Sequence, residues 1–143
     1  MQPIVSINLF CNDLDCVFAF YRDLFSLEEA VEHHSPIYRA LRLGNSDLGF
    51  HAPDAVDLLN AGALRSSVPS VAHYPTFHVD SREQLNSMTA QAQILGGAIR
   101  KAPYLTYYKA WQVVLQDPEG NMFRINHYLP PTDIASHQGS DKS

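Results

Sequence analysis

The chain has 143 residues and a mass of 16.0 kDa, the size of one compact domain, and its 45% hydrophobic and 17% charged composition is that of a globular protein. A net charge of −5, with only ten Lys plus Arg and no basic run, excludes a nucleic-acid footprint. No apolar stretch approaches the roughly 20 residues of a membrane helix, and MQPIVSINLF has neither a basic start nor a cleavage signal, so a cytoplasmic protein is expected.

IVSINLF (4–10) reads as a strand from its Ile, Val and Phe content. NDLD follows, with Asn12 placed to cap and Asp15 three residues on, a helix-start signature. Leu14, Val17, Tyr21 and Leu24 then recur at helical spacing, with Phe20 widening the stripe, which predicts a short amphipathic helix over 13–25. EEAVEHH (28–34), IYRALRLG (37–44) and DLGFHA (47–52) read as three strands, with GNS turning between the last two and Pro36 interrupting before the second. The segment 52–70 has no clean period and reads as a linker with one helical turn around Val56–Leu59. The two cysteines, Cys11 and Cys16, have no second pair to complete a structural zinc site, so they are expected to be reduced thiols.

The order then repeats. YPTFHVD (74–80) is a strand, SREQ (81–84) a capping box, and Leu85, Met88, Ala92 and Leu95 the stripe of a helix over 82–95 stopped by Gly96-Gly97. AIRKA (98–102), AWQVVLQ (110–116) and MFRINHY (122–128) are three more strands, the last two joined by DPEGN. TYYKAWQ (106–112) is strongly aromatic and leads into the middle strand, while 129–143 is a polar, Pro-containing tail expected to be mobile. The fold class is therefore α+β: two βαβββ modules, about 4–52 and 73–128, joined by a linker over 53–72. Curled sheets of this kind form a cleft-shaped open barrel within one domain.

That repeat, with NDLDCVFAFYRDLFSLE (12–28) and DPEGNMFRI (117–125), resembles the vicinal oxygen chelate superfamily, which includes glyoxalase I, extradiol dioxygenases, fosfomycin-resistance thiol transferases and bleomycin-resistance binding proteins. The matching residues are Phe20, Tyr21, Arg22, Asp23 and Leu24 in the first helix, and Asp117, Pro118, Glu119, Gly120 and Asn121 in the second-module turn. The likeness covers 4–128 and is architectural; one fold carries many functions. It implies a homodimer, since relatives commonly complete their clefts by pairing modules. It also implies where metal-using relatives keep their ligands. Those positions fall on Ser6, Gly49, Tyr74 and Arg124, none of which is a ligand of the expected kind. No metal and no cofactor are therefore expected.

Strand alternation supplies the cleft-facing set. It contains Ser6, Asn8 and Phe10 from the first strand, Gly49 and His51 from the fourth, Tyr74, Thr76 and His78 from the fifth, and Arg124 and Asn126 from the last. Ile7, Leu9, Phe77, Val79, Phe123 and Ile125 should pack beneath the helices. Trp111, with Tyr107 and Tyr108, offers aromatic contact at the cleft mouth. His51 and His78 are candidate bases for proton transfer. Arg124 has three open fates: an anionic group on a small organic ligand, an internal carboxylate such as Glu29 or Glu32, or solvent. Three function classes remain: a metal-free small-molecule binder, a metal-free lyase or isomerase using a cleft histidine, and a metal-dependent lyase or dioxygenase with atypical ligands. Loss of the expected ligands separates the third from the other two. A small organic molecule is the expected partner, with no nucleic acid and no membrane.

Overall fold

The protein's structure, a computed structural model, describes residues 2–65 and 71–130. Part of the expected linker (66–70) and most of the expected tail (131–143) lie outside the described residues. The chain divides into two compact units, Met1–Ser70 and Val71–Ser143.

Module one runs β1 (Ile7–Phe10), α1 (Leu14–Phe25), β2 (Tyr38–Leu43), β3 (Ser46–His51) and a short helix α2 (Asp54–Leu58). Helix α1 starts at Asp13 rather than Asn12: the Asp13 carboxylate accepts from the Cys16 N–H at 3.2 Å. It ends at Ser26, which adopts the left-handed region at φ 52° and returns its N–H to the Arg22 carbonyl. The predicted stripe is the buried one, with Val17, Phe20, Tyr21 and Leu24 all closed to solvent. Phe18 and Tyr21 meet Phe50 of β3 at ring-centroid distances of 5.6 and 5.7 Å, so α1 covers the face carrying Leu9, Leu48 and Phe50. Cys11 is buried and Cys16 exposed, and both are free thiols.

The three strands form a sheet of order β1-β3-β2, parallel between β1 and β3 and antiparallel between β2 and β3. The strand expected over 28–34 is not formed. Glu29 makes one isolated bridge to Leu41, and Val31–His33 is a turn of 3₁₀-helix. The His34 ring turns back to the Ala40 carbonyl at 3.1 Å and Ser35 closes a tight turn on Tyr38, so the chain leaves β2 before a ladder extends.

Module two runs β4 (Thr76–His78), α3 (Arg82–Ile94), β5 (Ala98–Leu105), β6 (Ala110–Gln116) and β7 (Met122–Tyr128), with strand order β4-β7-β6-β5. The order matches module one: in each, the first strand pairs parallel with the last, and the preceding strand lies beyond it. The modules are therefore mixed sheets rather than purely antiparallel ones. Ser81 caps α3, accepting from the Gln84 N–H at 3.0 Å, while the Gln84 side chain accepts from the Asp80 N–H at 3.1 Å. Leu85 and Ala92 are buried with Phe77, Val113, Leu115, Phe123 and Ile125 to make this module's core. Pro103 sits in β5, an edge strand with two register shifts, where a missing N–H is tolerated. Of the tail, residues 129 and 130 are described: Leu129 is buried, and its N–H bonds the Lys109 carbonyl at 3.2 Å.

Candidate functional site

The turn after β6 fixes the pairing of the last two strands. The buried Asp117 carboxylate accepts from the N–H groups of Glu119 (2.9 Å) and Asn121 (3.0 Å) and from the Asn121 side-chain amide (2.8 Å). Gly120 takes φ 86°, a conformation that suits glycine. With the turn locked, Gln116 stands opposite Met122, Val114 opposite Arg124 and Gln112 opposite Asn126. On the other side of β7, Thr76 pairs with Arg124 and His78 with Asn126. Thr76, His78, Gln112, Arg124 and Asn126 thus share one face of the sheet, and the α3 side carries Phe77, Val113 and Ile125.

On that open face Arg124 is half-buried and held by neutral oxygens. Its Nε donates to Thr76 Oγ1 at 3.0 Å, and its Nη1 donates to Gln112 Oε1 at 2.9 Å and to Tyr108 Oη at 3.1 Å. The guanidinium lies over the Tyr74 ring at 5.1 Å, and Tyr74 itself is 42% exposed. Gln112 is buried: its Oε1 also accepts from the Tyr108 hydroxyl and its Nε2 donates to the Tyr104 hydroxyl. Nη2 of Arg124 has no hydrogen-bond partner among the described residues. The internal-carboxylate reading of Arg124 does not hold there: Glu29 is paired with Arg22 at 3.4 Å and Glu32 with Arg42, and no described carboxylate of module two bonds Arg124. A cation partly withdrawn from water, with no carboxylate partner among the described residues, is the strongest chemical feature of this face.

Thr76, Arg124 and Asn126 share this face, and Tyr74 lies beneath the Arg124 guanidinium. His78 lies exposed on the same face, stacked on Tyr128 at 5.5 Å. Trp111 does not join them. Its position in β6 is opposite His127, on the α3 side; Nε1 donates to Asn86 Oδ1 at 2.9 Å, and the Arg82 guanidinium stacks 3.8 Å above the ring. An aromatic at an odd position of this strand serves the helix, not the open face. Gln112 and Tyr104, which complete the network, were not singled out from sequence. The signal for Gln112 was present, since counting back from the DPEGN turn places it directly opposite Asn126.

In module one the open face carries Asn8, Phe10, Tyr38, Ala40, Gly49 and His51 by register. Tyr38 Oη donates to Asn8 Oδ1 at 3.4 Å across Gly49, and a Cβ at Gly49 would overlap both side chains. Burial, then the nearby Asp47, raises the Tyr38 pKa. His51 is bracketed by Tyr38 (4.8 Å) and Phe10 (5.7 Å), and burial lowers its pKa, which keeps the ring neutral at pH 7. Ser6 is exposed near the sheet edge, 3.4 Å from Ser46 Oγ.

The residues at the metal-ligand positions of metal-using relatives do not fit a divalent ion. Ser6 and Tyr74 offer neutral hydroxyls, Gly49 offers no side chain, and the Arg124 guanidinium has no lone pair and carries the wrong charge. Among the described residues no three His, Cys, Asp or Glu side chains come together.

Comparison with curated proteins gives no match. Comparison with solved structures finds a glyoxalase/bleomycin resistance protein/dioxygenase family enzyme from Burkholderia phytofirmans PsJN, 37% identical, with 87% of this chain and 97% of that chain covered at a TM-score of 0.82. A glyoxalase-related enzyme from Fulvimarina pelagi shares the fold at 16% identity and TM-score 0.76, covering 89% of this chain and 88% of that one. Lactoylglutathione lyase from Agrobacterium tumefaciens does so at 21% and 0.66, covering 89% and 94%. The family profile itself matches residues 4–125. The chain belongs to the Glyoxalase/Bleomycin resistance protein/Dioxygenase superfamily.

Proposed function

We infer that the protein binds a small anionic organic molecule on the open face of module two, with Arg124 as the charge that recognises it and no metal ion as intermediary. The observation that carries this reading is the guanidinium itself. It is oriented by Thr76, Gln112 and Tyr108, lacks a carboxylate partner among the described residues and keeps Nη2 uncommitted. Three neutral acceptors fix where the charge sits without neutralising it, so an anion arriving there finds a preorganised donor. Tyr74 and Tyr108 add aromatic surface beside it. A second reading, a metal-free lyase or isomerase, draws support from His51. Its burial keeps it in the neutral form a general base requires, and the Burkholderia relative is described as an enzyme.

The binding reading is tested by a thermal-shift screen of small carboxylates, phenolates and phosphorylated compounds, followed by calorimetry. A hydrogen bond to a charged group contributes about 1.5–3 kcal/mol, so Arg124→Ala should weaken an anionic ligand about 10- to 150-fold. Arg124→Lys should recover only part of this, because an ammonium cannot satisfy Thr76, Gln112 and a ligand in one planar arrangement. Ligands whose affinity ignores both substitutions would overturn the assignment.

A further inference from the structure

Of the three side chains that hold Arg124, Gln112 alone is buried, with 1% of its surface exposed, whereas Thr76 and Tyr108 are half-buried. The direction of its amide is forced. Arg124 Nη1 can only donate, so the atom 2.9 Å from it is the acceptor Oε1, and Nε2 turns to the Tyr104 hydroxyl of β5. A flipped amide would set two donors against each other. The Tyr108 hydroxyl gives its proton to the same Oε1 and accepts from Nη1 at 3.1 Å. One buried carbonyl oxygen therefore joins β6 to Arg124 of β7 and to the Thr106–Lys109 turn.

Arg124 gives Nε to Thr76 and Nη1 to Gln112 and Tyr108, so two of its three nitrogens are anchored, all to neutral oxygens. A carboxylate at position 112 would have the same shape as the amide and would meet the same nitrogen, but it would cancel the charge. We propose, resting on the anion site at Arg124, that Gln112 is the positioning residue that sets the specificity of that site. Its buried amide holds the guanidinium in place while withholding the negative charge that would satisfy it. Selection for an anion then rests on the sign at position 112, not on its size. Among the described residues, the charged and titratable side chains around Gln112 are Arg124, Tyr104 and Tyr108. Lys101 Nζ lies over the Tyr104 ring at 4.0 Å, and Tyr74 and His78 belong to the Arg124 side of the face.

The deciding experiment needs no ligand: melting of the full-length protein, Gln112→Glu, Arg124→Met and the two substitutions together. Beside Arg124 the new carboxylate finds a cation, and the Tyr104 hydroxyl turns to donate to it. Gln112→Glu should therefore fold and change the melting temperature by less than about 3 °C. Without the cation the same carboxylate is buried and unpaired, so adding Gln112→Glu to Arg124→Met should lower it by at least about 5 °C. That second loss should grow as the pH rises from about 5 to about 8, because burial holds an unpaired carboxyl above its ordinary range; the first should not. A side chain that merely fills space would give equal losses in both backgrounds with no pH difference. That result, or a Gln112→Glu that fails to fold, would overturn the proposal. A double variant that fails to fold beside two folded single ones is the expected coupling at its strongest. Binding is then read calorimetrically with benzenesulfonate, which stays charged throughout this pH range and offers a ring to Tyr74 and Tyr108. Gln112→Glu should weaken it about 10- to 150-fold, as Arg124→Ala does. Equal affinity for the unmodified protein and Gln112→Glu would also overturn the proposal. Benzenesulfonate that fails to bind even the unmodified protein would count against the anion reading, while the melting comparison still decides Gln112.

Discussion

His51 shows how a single position is tuned by its neighbours rather than by its sequence context. Tyr38 and Phe10 close around the ring, and the resulting burial holds its pKa below the ordinary 6.5. Folding therefore disfavours the imidazolium, which sets the sign of the pH effect. The native state has its full share of stability from this residue above about pH 6.5, where the ring is neutral folded and unfolded alike. That share is lost as the pH falls through the lower, folded-state pKa, because the unfolded chain takes up the proton first. His51→Gln removes the group while keeping a polar side chain. Urea midpoints taken at about pH 7.5 and about pH 5 should fall less for the variant than for the unmodified protein. An equal fall in both would show that the enclosure of His51 has no energetic consequence. Arg124 presents the opposite case: among the described residues its hydrogen-bond partners are neutral acceptors, which orient the charge without cancelling it.

At the scale of elements, Trp111 separates what packs the module from what faces a ligand. Its ring lies between the sheet and α3, bonded to Asn86 and covered by Arg82, so it ties the helix to β6. Trp111→Phe loses the indole N–H and part of the cation–π surface and should cost about 1–2 kcal/mol in urea unfolding followed by circular dichroism. Ligand affinity at Arg124 should stay within about two-fold, since one hydrogen bond there would be worth more than that. A large affinity loss without a stability loss would return Trp111 to the binding face. This residue also marks where sequence reading reached its limit. Capping signals and helical stripes place α1 and α3 to within a residue or two, because those forces are local. The DPEGN turn likewise fixes the β6–β7 register, from which the shared face of Arg124, Asn126 and Thr76 follows by alternation. Aromatic content alone could not assign Trp111 to a face, and the strand-like segment 28–34 meets β2 at a single bridge, Glu29 to Leu41, before Val31–His33 turns away. Contacts such as Tyr108 to Arg124 span 16 residues through a turn whose Lys109 adopts φ 62°, and no local pattern announces that geometry.

For the molecule as a whole, the chemistry of four positions decides its relation to metal-using members of its superfamily. A divalent ion needs carboxylate, imidazole or thiolate donors converging on one point. Here Ser6 is exposed at a sheet edge, Gly49 is crossed by the Tyr38–Asn8 pair, Tyr74 lies under a guanidinium, and Arg124 supplies a fixed positive charge. Each would have to be replaced, and Gly49 has no room for a longer side chain until Asn8 and Tyr38 move. We therefore expect purified protein to carry well under one equivalent of zinc, nickel, manganese or iron, and chelation to leave its melting temperature unchanged. A metal present at 100 times its dissociation constant would add about 2.7 kcal/mol of stability, a shift of several degrees that a melting curve resolves easily. The sharper form of the test uses Arg124→Glu, which puts a carboxylate at one of the four positions where the resemblance places a metal ligand. With no strong ligand at Ser6, Gly49 or Tyr74, that variant should gain no metal-dependent melting shift. One equivalent surviving dialysis in the unmodified protein, or a metal-dependent shift gained by Arg124→Glu alone, would mean that other residues converge on an ion, and the anion-binding reading of this face would have to be abandoned.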